Sequence, residues 1–468
     1  MAILNQANPQ IKKIMVQTTY ETYKPSGIEW IGNVPDHWEV LRVKGNCYVK
    51  GRIGWQELRT EEFIDEGIHC VTGTDFNNQF VNWDSCYRVS LERYLIDDNI
   101  QLKEGDVLIT KDGTIGKTAI VKNLPEKATL NSGIFLVRPQ KARLENQYLY
   151  WILNSKVFED YNDYTKTGAT ILHLYQNVFV EMHFPLPDNE EQLAIANYLD
   201  DQTQKIDRLI ANKKAQVEKL KELRQIEINN AVTKGLNQDF QDERMNRINA
   251  EKSSGKSLNS ENPDADNYKG SGIEWLGKIP KHWEVKRLKN LANQISEKSS
   301  EILDDDFLVA LENIESHTGK FIETSSEYEN NGIKFKRDNL LYNKLRPYLN
   351  KVFLADKDGI CVGDIIVIEC TPKLHPAFLQ FRMLSDSFCS IIMSSVYGAK
   401  MPRTSWQFIS SLKIAYPTYE EQVQIVEHLN KRTVAIEGLI QNINLQIEKL
   451  QELRKIKIYE AVTGKIKV

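Results

Sequence analysis

The segment KDGTIGKT, residues 111–118, carries the residue types of a phosphate-cradling turn: glycines for a tight backbone, then a lysine and a hydroxyl. Such a loop needs glycine five positions before the glycine of Gly-Lys-Thr, and five before Gly116 stands Lys111. The loop is too short to wrap a phosphate. Pro263-Asp264 followed by Glu284-Val285-Lys286 has the order of a metal-dependent nuclease core, but Asp264 sits in a polar, linker-like stretch. Six cysteines (Cys47, Cys70, Cys86, Cys361, Cys370, Cys389) include no C-x-x-C pair, and they read as neutral thiols in a reducing compartment. His37 and His282 each precede a tryptophan and have no ligand partner at a recognisable spacing, so packing or hydrogen bonding is the simpler role. There is no Asn-Pro-Pro-aromatic or Asp-Pro-Pro-aromatic tetrapeptide of an amino-methyltransferase and no G-x-G-x-x-G turn. No Ser-His-Asp or Cys-His set assembles either. Together these absences describe a chain that reads rather than catalyses.

What the chain does contain is a repeat. SGIEWIGNVPDHWEVLRVK begins at Ser26, and SGIEWLGKIPKHWEVKRLK begins at Ser271, an offset of 245 with 13 of 19 positions identical. Leu41 stands where the second copy has Lys286, a further argument against the nuclease reading. A second matched block starts at Pro185 (PLPDNEEQLAIANYL…) and at Ala415 (AYPTYEEQVQIVEHL…), now at an offset of 230. The intervening segments, about 45–184 and 290–414, share only weak echoes. LKEGDVLITKDGTIGKTAIV faces FKRDNLLYNKLRPYLNKVFL, and TGATILHLYQNVFVEMHFPLP faces YGAKMPRTSWQFISSLKIAYP. The plan is a constant frame, a variable insert and a constant helix, written twice. Trp30, Pro35, Trp38 and Val40 read as an extended segment whose aromatics cap a module's core.

The second matched block predicts a long helix in each copy. Asp188 with Glu191, and Thr418 with Glu421, have the spacing of a capping box, and acidic first turns suit the helix dipole. Ile436, Ile440, Ile443, Ile447 and Leu450 follow a 4-3-4-3 spacing, the seam of a coiled coil. Ile206, Ile210, Val217 and Leu220 repeat that seam, with Lys213 inside it. Gly235 and Gly464 stand where C-caps belong. A helix over 200–235 spans about 50 Å, and two with matching seams predict an antiparallel coiled coil. The stretch 237–267 is polar, mixed in charge and poor in large apolar residues, the composition of a flexible linker.

The expected fold class is therefore α+β: two mixed α/β modules separated by two long helices in an antiparallel coiled coil, as a pseudo-two-fold internal repeat. The expected boundaries are an N-terminal lead (1–22), a first module (23–187), a first helix (188–236), a linker (237–267), a second module (268–417) and a second helix (418–468). With 468 residues, 41% hydrophobic and 26% charged, the composition is that of an ordinary globular protein. A formal net charge of −4 does not point to nucleic acid in bulk, so any basic surface must be local. No apolar run approaches a membrane span and the start has no apolar leader core, from which a cytoplasmic protein is expected.

SGIEWIGNVPDHWEV, a variable segment ending PLP, then EEQ and a long helix ending ELR…AVTKG, all in two copies, resembles the DNA specificity subunit of type I restriction–modification enzymes. The resemblance covers nearly the whole chain apart from the first twenty or so residues and the linker. It implies two target-recognition domains that each read one half of a split, asymmetric DNA site. It also implies conserved helices that space these domains and dock two methyltransferase subunits, with a translocating endonuclease subunit joining the core. S-adenosylmethionine, ATP and Mg would belong to those partners, with no cofactor bound by this chain. By position, the DNA-contacting candidates are Lys111, Thr114 and Lys117; Lys166, Thr167 and Thr170; Lys344 and Arg346; and Lys400, Arg403 and Thr404. Lysines there would grip phosphates, and Arg346 or Arg403 would read guanine edges. A stand-alone DNA-binding regulator and a coiled-coil adaptor that does not bind DNA are the competing readings.

Overall fold

The computed structural model describes residues 19–52, 58–165, 173–236, 267–299, 306–324, 332–396 and 401–468. The expected linker, except residue 267, and the lead up to residue 18 lie outside the described residues. The chain forms two compact units, Met1–Lys213 with Leu445–Val468, and Lys214–Asn444.

In the first unit the opening block enters through β1 (Glu39–Arg42). The main sheet uses β2 (Cys47–Gly51), β3 (Val107–Thr110), β4 (Thr118–Ile120) and β5 (Ile134–Pro139) in the order β2-β5-β3-β4, extended by two short strands. All four residues of β3 are buried, as expected for the apolar run VLIT covered on both faces. Two helices follow, α1 (Asn146–Leu153) and α2 (Lys156–Thr165), then β6 (His183–Leu186), which pairs antiparallel with β1. The variable insert thus leaves from and returns to the frame at one ladder. The core gathers Trp38, Tyr148, Phe179 and Phe184 with Ile195 and Leu199 of α3 (Asn189–Lys234).

The second unit repeats this plan. β7 (Glu284–Arg287) leads into a sheet of β8 (Ala292–Ile295), β9 (Leu340–Asn343), β10 (Val352–Leu354) and β11 (Ile365–Cys370), in the order β8-β11-β9-β10. Helices α4 (Pro376–Leu384) and α5 (Asp386–Ser394) follow, then β12 (Lys413–Tyr416), which pairs with β7. The inserts that share so little sequence share one sheet. Most of their length difference falls before the third strand, where the offset between equivalent residues drops from 245 (Cys47, Ala292) to 233 (Val107, Leu340). The β9–β10 turn is one residue longer than its β3–β4 counterpart, so the ungapped pairing read from the sequence slips by one after the turn.

The long helices are α3, 46 residues and about 69 Å, and α6 (Tyr419–Val462), 44 residues. Each begins immediately after its capping residue, earlier than the seam alone predicts. They run antiparallel within each unit. Asp207 meets Arg454 at 3.0 Å and Lys213 bonds Gln446 in the first, while Glu227 meets Arg432 at 2.9 Å and Arg224 meets Glu437 at 3.7 Å in the second. Ile206, Ile210, Val217, Ile436 and Ile447 are buried, and Leu220, Ile440, Ile443 and Leu450 are half-buried, on the 4-3-4-3 stripe. Each core takes the start of one helix and the end of the other: Ile458, Ala461 and Val462 of α6 complete the first, and Ile228, Ala231 and Val232 of α3 complete the second.

The EEQ signature locks insert to frame. Gln192 and Gln422 are fully buried. The Gln192 side chain accepts from the Glu145 N–H at 2.9 Å and donates to the Arg143 and Pro187 carbonyls at 2.8 and 2.9 Å. Gln422 makes the same three bonds, to His375, Lys373 and Pro417, at 2.7, 3.0 and 3.0 Å. The capping boxes are only half made. Asp188 and Thr418 accept the N3 backbone N–H groups, but the glutamates turn to the frame. Trp38 Nε1 donates to Glu191 at 2.9 Å and Trp283 Nε1 to Glu421 at 3.0 Å, with His37 and His282 on the same carboxylates. An indole buried without this acceptor would lose a hydrogen bond, which explains why both tryptophans and both glutamates are repeated.

One core position differs sharply between the units. Ile152 is fully buried in α1, and the equivalent residue of α4 is Arg382, also fully buried. Its Nη1 donates to Ser387 at 3.3 Å and its guanidinium lies 4.9 Å from the Trp275 ring centroid, while Nε and Nη2 have no hydrogen-bond partner among the described residues. Burial lowers its pKa to about 9, so it carries its charge at neutral pH. A buried, under-paired cation is costly, and the cation–π contact offsets only part of that. Arg382→Met is expected to stabilise the second unit by about 1–2 kcal/mol, read as a higher urea midpoint at unchanged slope.

Candidate nucleic-acid interface

The segment that resembled a phosphate loop is the turn of the β3–β4 hairpin. Thr110 N–H donates to the Lys117 carbonyl and Lys117 N–H to Thr110 Oγ1, at 2.9 and 3.0 Å. The turn returns into an antiparallel strand instead of opening a helix, so it presents no helix N-terminus to a phosphate. Gly113 and Gly116 take positive φ, and a Cβ on Gly116 would stand 2.9 Å from Phe158.

This turn is joined to the second candidate loop. An isolated bridge pairs Asp112 with His173, and Leu174 N–H donates to the Lys111 carbonyl at 2.9 Å. In the second unit Leu345 bridges Arg403, and Thr404 N–H donates to the Lys344 carbonyl at 3.0 Å. These are the same positions, because Lys111 is equivalent to Lys344 and His173 to Arg403. The two weak echoes in the sequence therefore mark two loops that meet in space, in both units.

The side chains at this junction are organised around one carboxylate per unit. In the first, Lys111 Nζ lies 2.9 Å from Asp112, whose other oxygen bonds His173 Nδ1. Burial alone would raise the Asp112 pKa, but the hydrogen bonds and charges of Lys111 and His173 outweigh it and hold the carboxyl below its usual range. In the second, Asp364 takes Lys344 at 3.3 Å and Arg403 at 2.9 Å. Lys344, Asp364, Arg403, Thr404 and Trp406 line a cleft of about 670 Å³.

The remaining candidates fall into three groups. Thr114, Lys117 and Arg346 are exposed, Arg346 at a left-handed φ of 51° that turns the chain beside Pro347. Thr404 is buried, with its hydroxyl unpartnered among the described residues. Lys166, Thr167, Thr170 and Lys400 lie outside the described residues. Burial pushes Cys47, Cys70, Cys86, Cys361 and Cys370 up to about 12, so these thiols are neutral. Sequence reasoning missed Asp112 and Asp364, because an acid in a basic loop looks like a solvated charge. The bridge position His173 was missed too, because the echo pairing HLY with RTS preserves no residue type.

The model of the type I restriction modification DNA specificity domain matches residues 35–219 and 280–449, once per repeat. The chain is 24% identical over 336 residues to the EcoDI specificity subunit of Escherichia coli, covering 69% of this chain and 70% of that one. It is 23% identical over 485 residues to the MjaVIII specificity subunit of Methanocaldococcus jannaschii, covering 93% and 94%. A solved structure described by the assembly and conformational transition of the type I R-M system superposes with a TM-score of 0.66 at 13% identity, over 92% of this chain and 99% of that one. With the repeated frame, the paired long helices and both matched domains in place, the chain belongs to the DNA specificity subunits of type I restriction–modification systems, whose role is DNA recognition.

Proposed function

We propose that the two units are target-recognition domains, 23–187 and 268–417, each reading one half of a bipartite, asymmetric DNA site. The helices, 188–236 and 418–468, fix the spacing between the half-sites, joined through the linker at 237–267. Two methyltransferase subunits would methylate adenines at the site so chosen, and a translocating endonuclease subunit would restrict unmodified DNA. The chain itself would hold no cofactor and catalyse nothing, with S-adenosylmethionine, ATP and Mg used by the partners in the cytoplasm.

The observation that carries this reading is one scaffold presenting different residues at the same junction, Lys111–Asp112–His173 in one unit and Lys344–Asp364–Arg403 in the other. A symmetric dimer of readers is bound to a palindromic site. One chain with two diverged modules frees the half-sites to differ. An overall charge of −4 is tolerable where partner subunits add phosphate contacts.

Genome-wide mapping of methylated adenines with and without the gene tests it. A split motif with two unlike halves should vanish on deletion and return on complementation. The purified chain with DNA and S-adenosylmethionine, or with DNA, ATP and Mg, should neither methylate nor cut. Activity of the chain alone, or an unchanged methylation map, would overturn the reading.

A further inference from the structure

We propose that the residue at the loop-to-loop bridge, Arg403 in the second unit and His173 in the first, is the base-reading residue of its module, and that Asp364 and Asp112 are positioning residues that aim it. The inference rests on the DNA-reading function proposed above and asks which side chain performs it.

The argument starts from a cost. A carboxylate on a surface that meets DNA repels phosphate, so affinity alone would remove it. Both units nevertheless place one at the same junction, and they draw it from different positions. Asp112 lies in the hairpin turn, where the second unit has Leu345. Asp364 precedes β11, where the first unit has Gly133. Two unrelated sequence positions converge on the same pair of neighbours, the turn lysine and the bridge residue. What the two acids share is their effect on those neighbours.

That effect is orientation. A free arginine spreads over many rotamers, and tying it to a carboxylate leaves one approach to a base. Arg403 spends a donor on Asp364 at 2.9 Å and keeps the rest of its five for a ligand. Its side chain is 59% exposed and lines the cleft. A guanidinium so held matches guanine O6 and N7 in the major groove. Arg346 has no such anchor among the described residues and suits a phosphate. In the first unit the Asp112 carboxylate only accepts, so His173 Nδ1 donates to it and the ring is held with Nε2 as the atom left for a base edge. The second module therefore reads guanine at this point, and the first reads a different base edge through its imidazole.

The test uses the chain assembled with its methyltransferase subunits and a library of DNA randomised across the motif. The wild-type complex first yields the two half-sites. If none emerges, the proposed function has failed and not this inference. Given a motif, Arg403→Ala should lower discrimination at one guanine of the second half roughly ten- to a hundred-fold and leave the first half intact. His173→Ala should relax one position of the first half only. Arg403→Lys should discriminate no better than Arg403→Ala while binding non-specific DNA like the wild type. Asp364→Asn should move two readouts in opposite directions: non-specific affinity rises as an anion is lost, and guanine discrimination falls. A merely structural aspartate would lower both. The inference is overturned if Arg403→Ala keeps the wild-type preference, or if it weakens every sequence equally with a shallower salt dependence, the behaviour of a phosphate contact.

Discussion

Gln192→Ala is expected to destabilise the first unit by about 3 kcal/mol or more, and Gln422→Ala to do the same to the second. Either substitution leaves one backbone N–H and two carbonyls without their partner around a fully buried amide position. A buried polar group left unpaired costs about 1–3 kcal/mol, and three are stranded at once. Alanine also removes bonds by which the helix start grips the backbone of the segment entering α1 or α4, leaving in the first unit the Asn189 side chain on the Ala142 carbonyl at 2.7 Å. The loss should be local. Hydrogen exchange should show early opening of β6 and α1 in Gln192→Ala, and of β12 and α4 in Gln422→Ala, beside a lower urea midpoint in each. Gln202→Ala is the control, because among the described residues that amide bonds the exposed Asp201 alone, at 3.0 Å, and its loss should stay within about 0.5 kcal/mol. Equal midpoints for all three variants would mean that the EEQ amide is not a structural lock.

The sequence made the frame and helices legible and left the inserts largely dark, for a physical reason. Trp38, Glu191 and Gln192 act through their own side chains, an indole N–H, a carboxylate and an amide, so their types are fixed and the repeat shows them. The insert sheet is held by ladders between backbones, for which β2 and β8 need only alternate or bury. CYVKG and ANQI form equivalent strands with no residue in common. The same holds for α1 and α4, which a faint echo, Leu153-Asn154-Ser155 against Met383-Leu384-Ser385, could have paired. Each serine caps back onto the carbonyl three residues earlier, at 2.7 Å in both units. The candidate loops were found as turns with basic residues, yet their meeting at one bridge depends on folding across some 60 residues, which local spacing does not encode. Reading Lys111 and Lys344 as free phosphate grips also overlooked that each is already paired to an acid.

Exchange of residues 45–184 for the insert of a relative is expected to replace one half of the DNA target completely, leaving the other half and the gap between them as they were. The structure gives the reason for such portability. The insert is moored to the frame at the β1–β6 ladder and at the Gln192 amide, and both moorings grip backbone atoms. The partners at the amide are Arg143 and Glu145 in one unit and Lys373 and His375 in the other, unlike residues offering the same N–H and C=O. An incoming insert need only supply apolar residues toward Trp38, Ile195 and Leu199, a demand on pattern and not on identity. The helices α3 and α6 are untouched by the exchange, so whatever spacing they impose persists. Mapping methylated adenines in cells carrying the chimaera decides it, with a motif half-new and half-old as the expected result. A motif in which both halves change would show that the units do not read independently, and an unchanged motif would place the reading outside the inserts altogether.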